Sequence, residues 1–233
     1  TAVMWFNKDA FEKAGLDPEA PPLVWTDFIK AAQTLASKAP TPIASTSAWM
    51  TWIQLEEFAA MHDLPYATED NGYKGLDAKL LVNSKPLVAQ LQRFLDMSKD
   101  GSFKNAQFHY AEAFLPYEPA VNPKPNNSII GGASLWTMTA PKRTEAEYKG
   151  VAKFFQFIGQ PEQAALYSQN TGYVPVTIAA YELSKQQGYY AKNAGADLPV
   201  QQLARGTLTA NSRGLRLGRL PEIRNIIYEE IEK

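Results

Sequence analysis

The chain has 233 residues, 45% hydrophobic and 20% charged, with a formal net charge of −1. That is ordinary globular composition, long enough to bury a substantial core in one large domain or two small ones. The near-zero charge excludes a global field for nucleic acid or an anionic membrane, the absence of cysteine excludes disulfides, thiolate metal sites and a cysteine nucleophile, and no run of ~18 apolar residues reads as a membrane-spanning helix.

The opening "TAVMWFNKDAFEKAGLDP" reads as a strand through Val3 and Trp5, then a helix. Asn7 is its predicted N-cap, Gly15 its stop, and Pro18 lies just beyond. An opening that reads as the inside of a strand, with no initiator Met and no visible signal peptide, suggests a processed or truncated chain. "PPLVWTDFIKAAQTLASK" predicts a second helix capped by Thr26, with Phe28, Ile29, Ala32, Leu35 and Ala36 as its apolar stripe. "PTPIASTS" predicts a short strand. "WMTWIQLEEFAAMHDL" predicts a third helix with Ile53, Leu55, Phe58 and Ala59 toward the core.

"NSKPLVAQLQRFLDMSKDG" is the clearest helical pattern. Leu87, Val88, Leu91, Phe94 and Leu95 recur at helical spacing between a Ser84 or Asn83 cap and Gly101. "FHYAEAFLPYEP" predicts a strand, followed by a Pro/Asn-rich loop. "NNSIIGGASLWTM", residues 126–138, predicts a buried strand interrupted by Gly131 and Gly132. "RTEAEYKGVAKFFQFIG" predicts an amphipathic helix with Tyr148, Val151, Phe154, Phe155 and Ile158 as its apolar positions. "PEQAALYSQNTG" predicts a helix from Pro161 to Gly172. "VTIAAYELSKQQGYY" follows, and a last helix starts near Pro221. Strands alternate with helices, so the fold class is α/β, with helix predominating.

The glycine pair poses a question, because glycine inside a strand gives up backbone freedom and packs nothing. It marks either a bulge or tight packing, or a place where a ligand approaches the backbone. Arg224, just after Pro221, is expected in the first turn of the last helix, where unpaired N–H groups favour anions. Its guanidinium adds bidentate recognition of phosphate or carboxylate, and Arg213, Arg216 and Arg219 make the same stretch basic. The alternative is a solvated surface arginine. Tyr173 follows Gly172 at a loop mouth, either donating its phenol O–H to an anion or packing under the loop. Trp49 and Trp52, three apart in "WMTW", share a helix face and either wall a cleft against a polyol or choline-like group or fill the core, the reading preferred for Trp52. Glu56–Glu57 and Glu229–Glu230 are adjacent pairs that do not face each other and read as solvated faces. His62 and His109 stand outside any motif, and dinucleotide, phosphate-loop and zinc-protease signatures are absent.

Four phrases in order, "FNKDAFEKAGLDPEAPPLVWTDFIKAA", "WIQLEEF", "SIIGGASLWTM" and "TGYVPV…GLRLGRLPEIR", resemble the periplasmic solute-binding proteins of bacterial ABC importers, extracellular family 1. The last two phrases point to the branch that binds glycerol-3-phosphate. The resemblance covers nearly the whole chain. It implies a type II periplasmic-binding-protein fold, two-lobed with a hinge and truncated here. Residues 1–125 would be mainly C-terminal-lobe-type α/β structure, 126–185 would cross to the other lobe, and 186–233 would return with the final helix. Relative to the family, an N-terminal segment, a helix and strand between "GSFKNAQ" and "FHYAEAFLPY", and the C-terminal tail are expected to be missing.

The resemblance also implies function. The protein would capture sn-glycerol-3-phosphate or a glycerophosphodiester in the periplasm and deliver it to membrane permease subunits, closing two lobes around it. It would act as a monomer and not as an enzyme, with no cofactor, no metal and no nucleic-acid partner. Arg224, Tyr173 and the Gly132 backbone would hold the phosphate and Trp49 would wall the cleft. Ser134 and Trp52 are weaker candidates. Contacts drawn from the missing segments would be lost, so this stretch carries only part of the ligand set. The alternatives are an oligosaccharide receptor of the same family and a reduced interaction module that binds no ligand. A phosphodiester- or sugar-cleaving enzyme would need an acid/base pair that the sequence does not supply.

Overall fold

In the computed structural model, which describes residues 2–39, 43–104 and 111–231, the first strand and helix form where local chemistry dictates. β1 (Met4–Phe6) buries Met4 and Phe6 and exposes Trp5, the alternation of a strand covered on one face. The Asn7 side chain accepts from the Ala10 N–H at 3.0 Å and starts α1 (Lys8–Ala14), which ends on Gly15 at φ +77°. The next helix departs from expectation. α2 (Trp25–Lys38) begins after Val24, with no side-chain cap, and Thr26 lies inside it. The cause is tertiary: Val24 still forms a parallel bridge with Tyr117, so the chain turns helical only at the buried Trp25.

Residues 40–42 of the strand expected in "PTPIASTS" lie outside the described residues, and Ile43–Ser47 is irregular. The third predicted helix opens as a π-helical turn, Thr51–Glu57, and continues as α3 (Phe58–Met61). A short left-handed turn, α4 (Thr68–Gly72), has φ of +56°, +50° and +58° at Glu69, Asp70 and Asn71. α5 (Lys85–Lys99) buries Leu87 and Phe94 as predicted, but Val88 and Leu95 face solvent. β2 (Ala111–Ala113) pairs antiparallel with β1, Met4 opposite Ala113 and Phe6 opposite Ala111. Residues 108–110 of that predicted strand, with His109, lie outside the described residues.

Residues 126–138 form no strand. Extended backbone becomes sheet only when a neighbour takes its hydrogen bonds, and among the described residues no strand pairs with this stretch. The helices that follow are α6 (Glu145–Ile158), α7 (Pro161–Thr171), α8 (Ile178–Gln186), α9 (Tyr189–Lys192), α10 (Leu198–Leu203) and α11 (Leu220–Ile231). No helix among the described residues is long and apolar enough to cross a membrane.

The chain divides into two compact units. The first comprises Thr1–Ile130 and Gln201–Lys233, the second Gly131–Val200. In the first, Met4, Phe6, Phe11 and Leu35 form one buried cluster. Trp25, Leu55, Phe58, Tyr66, Leu87 and Phe94 form another, against which Ile227 and Ile231 of α11 pack. The returning segment is joined to this unit by polar contacts. The buried Gln202 side chain accepts from the Leu115 N–H at 3.2 Å, and the Asn127 amide donates to the Ser212 carbonyl at 2.9 Å. Backbone also meets backbone at Gly72. At φ +85°, a Cβ there would lie 2.1 Å from the Arg216 carbonyl oxygen.

The second unit has a small core of Ala164, Ala165 and Ala180 with Leu183 packed on it. α6 has a full capping box at Thr144 and Glu147, yet buries none of its residues. The predicted amphipathic helix is present, but its apolar positions are not closed off within these residues: Tyr148, Val151, Phe155 and Ile158 are half-buried and Phe154 is exposed. Val151, Phe154 and Phe155 instead line an open groove of about 470 Å³ with Leu135, Trp136 and Met138.

Candidate functional site

The later part of the π-helical turn and α3 are enclosed on every side. All residues from Gln54 to His62 are buried, whereas a surface helix buries one stripe. Glu56 and Glu57, read from sequence as a solvated face, are 2% and 0% exposed. A buried carboxylate needs a partner or must stay protonated. The two glutamates take these two different solutions.

Glu56 takes a cation. Its Oε1 accepts from Arg224 Nε and its Oε2 from Arg224 Nη2, both at 2.6 Å. This is the bidentate geometry in which a guanidinium fork matches a carboxylate. The Arg224 side chain remains 38% exposed while that of Glu56 is 1% exposed, so the guanidinium spans from the interior to the surface. The hydrogen bonds that Arg224 donates to Glu56 push its pKa up, against its partial burial. Arg224 is the fifth residue of α11, just beyond the first turn, so its anchor is this buried carboxylate and not the helix terminus. Two of the upstream arginines are also engaged. Arg213 stacks 4.1 Å over the Tyr73 ring, and Arg219 lies 3.9 Å from Glu222.

Glu57 takes the other course. Its Oε2 accepts from the Ile129 N–H at 2.8 Å, and its Oε1 has no hydrogen-bond partner. Burial pushes its carboxyl up to about 8, with the Ile129 N–H opposing, so it is protonated at neutral pH. Near the ion pair, Tyr66 is 1% exposed with its hydroxyl unpartnered. Burial pushes that phenol up, the Glu56 charge adds to the effect and Arg224 opposes it.

The tryptophans lie at the start of the same turn. Trp49 is 70% exposed with φ +44°, and its ring centroid is 5.7 Å from that of the half-buried Trp52. His62 is structural. Its Nε2 accepts from the Glu118 N–H at 2.7 Å, and its Nδ1 faces the Phe58 carbonyl at 2.7 Å. Burial holds its pKa down near 4, so it is a neutral ring with both nitrogens in use. No group of metal-ligating residues occurs among the described residues.

Within the second unit, Gly132 has φ +126°, and a Cβ there would lie 3.3 Å from the Tyr173 ring. The left-handed backbone and the close phenol both call for glycine, whatever approaches from outside. Tyr173 is half exposed, and its carbonyl accepts from the Ser168 hydroxyl at 2.6 Å. Ser134 accepts from the Trp136 indole N–H at 2.8 Å. Arg224, Trp49 and Trp52 thus belong to the first unit, and Gly132, Ser134 and Tyr173 to the second. Sequence reasoning missed Glu56. The signal available was the apolar density of "WIQLEEFAAM", which encloses the glutamates on both sides.

Residues 1–165 match the family model described as bacterial extracellular solute-binding protein. The whole chain is 39% identical, over 264 aligned residues, to the sn-glycerol-3-phosphate-binding periplasmic protein UgpB of Pectobacterium atrosepticum, of which it covers 59%. The identity to UgpB of Salmonella typhimurium is also 39%, covering 60% of that protein. The chain thus spans about 60% of the length of these curated relatives. The aligned stretch is longer than the chain itself, so the relatives hold internal residues that this chain lacks.

Among solved structures, the cyclic alpha-maltosyl-1,6-maltose binding protein from Arthrobacter globiformis superposes with a TM-score of 0.71 at 20% identity. The match covers 99% of this chain and 63% of that one. UgpB from Mycobacterium tuberculosis, in complex with glycerophosphocholine, gives 0.69 at 18% identity, covering 99% and 62%. These likenesses show the fold, a type II periplasmic-binding-protein α/β fold of which these residues form a part.

Proposed function

This chain belongs to the bacterial extracellular solute-binding protein family, and from that premise we propose that the protein is the substrate-binding component of an ABC importer, capturing sn-glycerol-3-phosphate or a glycerophosphodiester in the periplasm and delivering it to the permease subunits. The observation that carries the reading is Arg224, a guanidinium fixed by a buried carboxylate on one side and open to solvent on the other. A fixed cation with unused N–H groups is a phosphate anchor. The names of the 39%-identical relatives supply the ligand class. Trp49, exposed beside Trp52, is read as an apolar wall for the polyol or head group. Tyr173 and Gly132 are read as further ligand contacts by their correspondence to the family's motif, with Ser134 a weaker candidate. The role is non-catalytic: the glutamates are committed to Arg224 and to Ile129, and His62 to two backbone groups. We read the protein as a monomer.

Calorimetric titration of the complete gene product with glycerol-3-phosphate tests this. Binding is expected, and Arg224→Ala should weaken it by about 10- to 100-fold, the worth of a charge-assisted hydrogen bond. A second reading, an oligosaccharide receptor, draws on the exposed indole of Trp49 and the maltosyl-sugar-binding structural neighbour. Tight binding of a maltose-type sugar, unaffected by Arg224→Ala, would establish it instead.

A further inference from the structure

The proposed anchor is electrically unusual. Arg224 is bound bidentately to a carboxylate that is 2% exposed. Releasing Glu56 to free the whole fork for a ligand would strand a buried, unpaired charge, which is strongly unfavourable. The pair therefore stays intact on binding. Glu56 uses the Nε–H and one Nη2–H, and a guanidinium has five N–H groups. The Nη1 edge and the second Nη2–H remain to donate to a phosphate. The charge does not remain in the same way. The neighbouring titratable groups are Glu57 and Tyr66, and both are neutral at pH 7. The local charge is thus the +1 of Arg224 and the −1 of Glu56.

We propose that Glu56 is a specificity-determining residue, which partly neutralises the Arg224 anchor while leaving its outward N–H groups free, so that the site gains much less from the second negative charge of a phosphate monoester than a bare guanidinium would. The inference rests on the phosphate-binding reading above. A bare guanidinium rewards a dianion over a monoanion, because Coulomb attraction scales with ligand charge. A guanidinium paired with a carboxylate on its other edge presents a dipole with its positive end toward the ligand, and the reward for the extra charge falls to under about half that of a bare guanidinium. What remains is directional hydrogen bonding to phosphate oxygens, which a monoester and a diester both provide. The site is accordingly less biased toward monoesters over phosphodiesters than an unpaired arginine would make it.

The test is calorimetry on the complete gene product with glycerol-3-phosphate and with glycerophosphoglycerol, a diester without a cationic head group, at pH 5 and pH 8. The monoester gains its second charge near pH 6 and the diester does not titrate in this range, so the diester controls for protein titration, Glu57 included. In the wild type, the ratio of the two Kd values should change by less than about fivefold between the two pH values, about fivefold being what a unit charge ~4 Å from a bare guanidinium gains even in bulk water. In Glu56→Gln the ratio should move toward the monoester by more than that margin at pH 8, and should stay unshifted at pH 5. A larger shift in the wild type overturns the proposal, and so does an unchanged ratio in the variant. If the variant does not fold, the wild-type comparison decides alone. Binding of neither ligand overturns the phosphate-binding reading together with this inference. Binding of both with a large wild-type shift overturns only the inference.

Discussion

The two units of the chain are built to different degrees of closure. The first buries large side chains outright: Leu55, Tyr66 and Leu87 are at 1% exposure or less, and two glutamates are enclosed among them. The second buries three alanines and leaves Leu135, Trp136, Met138 and Phe154 between 54% and 81% exposed. Both have well-formed helices, so helix formation is not what separates them. α6 has the best N-terminal cap described here and no buried residue. Caps and propensity form a helix, whereas a partner surface gives it tertiary stability. The second unit is expected to be the less stable, opening locally at lower free energy than the first.

The most direct way to break the first unit is to hollow its core. Leu87→Ala removes a fully buried side chain from between Trp25, Leu55, Tyr66 and Phe94, and should cost about 2–5 kcal/mol in urea denaturation. A loss under about 1 kcal/mol would show that this cluster is not the stabilising core. Gly72→Ala attacks the same unit through the backbone. A methyl group 2.1 Å from the Arg216 carbonyl oxygen forces the returning segment away, and the left-handed φ adds strain. A loss of about 2–4 kcal/mol is expected, with increased amide exchange at Arg216, whose N–H is bonded to the Asn71 carbonyl.

How far the sequence showed these differences depended on the range of the interaction. α1 was legible from Asn7 and Gly15, and α7 from Pro161 and Gly172, because each boundary is set within a few residues. The site residues could be named one at a time, but their geometry could not. Glu56 and Arg224 are 168 positions apart, and no local pattern announces that a glutamate pair is enclosed. Adjacency argued for exposure, since neighbours on an α-helix point apart, but burial of every residue from Gln54 to His62 removes the exposed side there. The strand expected at 126–138 failed for a related reason. Alternation proposes a strand, and only a paired neighbour makes one.

Glu57 sharpens the comparison through pH. Its folded pKa is about 8 against an ordinary 4.5, so between those values the folded state holds a proton that the unfolded state has released. Its contribution to stability is complete below pH 4.5, falls as pH rises to 8, and is constant above. The slope is at most about 1.4 kcal/mol per pH unit. Glu57→Gln removes that slope while keeping an oxygen able to accept from the Ile129 N–H. The variant should gain on the wild type progressively from pH 5 to pH 8 in thermal melts. A gain that does not depend on pH would mean that Glu57 is ionised in the folded protein.

The smallest effect is expected from the second unit, and its smallness is the point. Phe154 is large and apolar, but it is 54% exposed and lines an open groove, so truncation removes little buried area and leaves no closed cavity. Phe154→Ala should change the stability of this chain by less than about 1 kcal/mol, well below the range for deleting a buried phenylalanine. The same substitution in a fully enclosed position costs about 3–5 kcal/mol. The measurement is urea denaturation beside Leu87→Ala, following exchange of amides in α6 and α5 so that each unit is read separately. Equal losses would mean that the α6 face is covered in solution and that the two units are alike in closure. A large loss from Leu87→Ala with almost none from Phe154→Ala would locate the difference between them in side-chain burial.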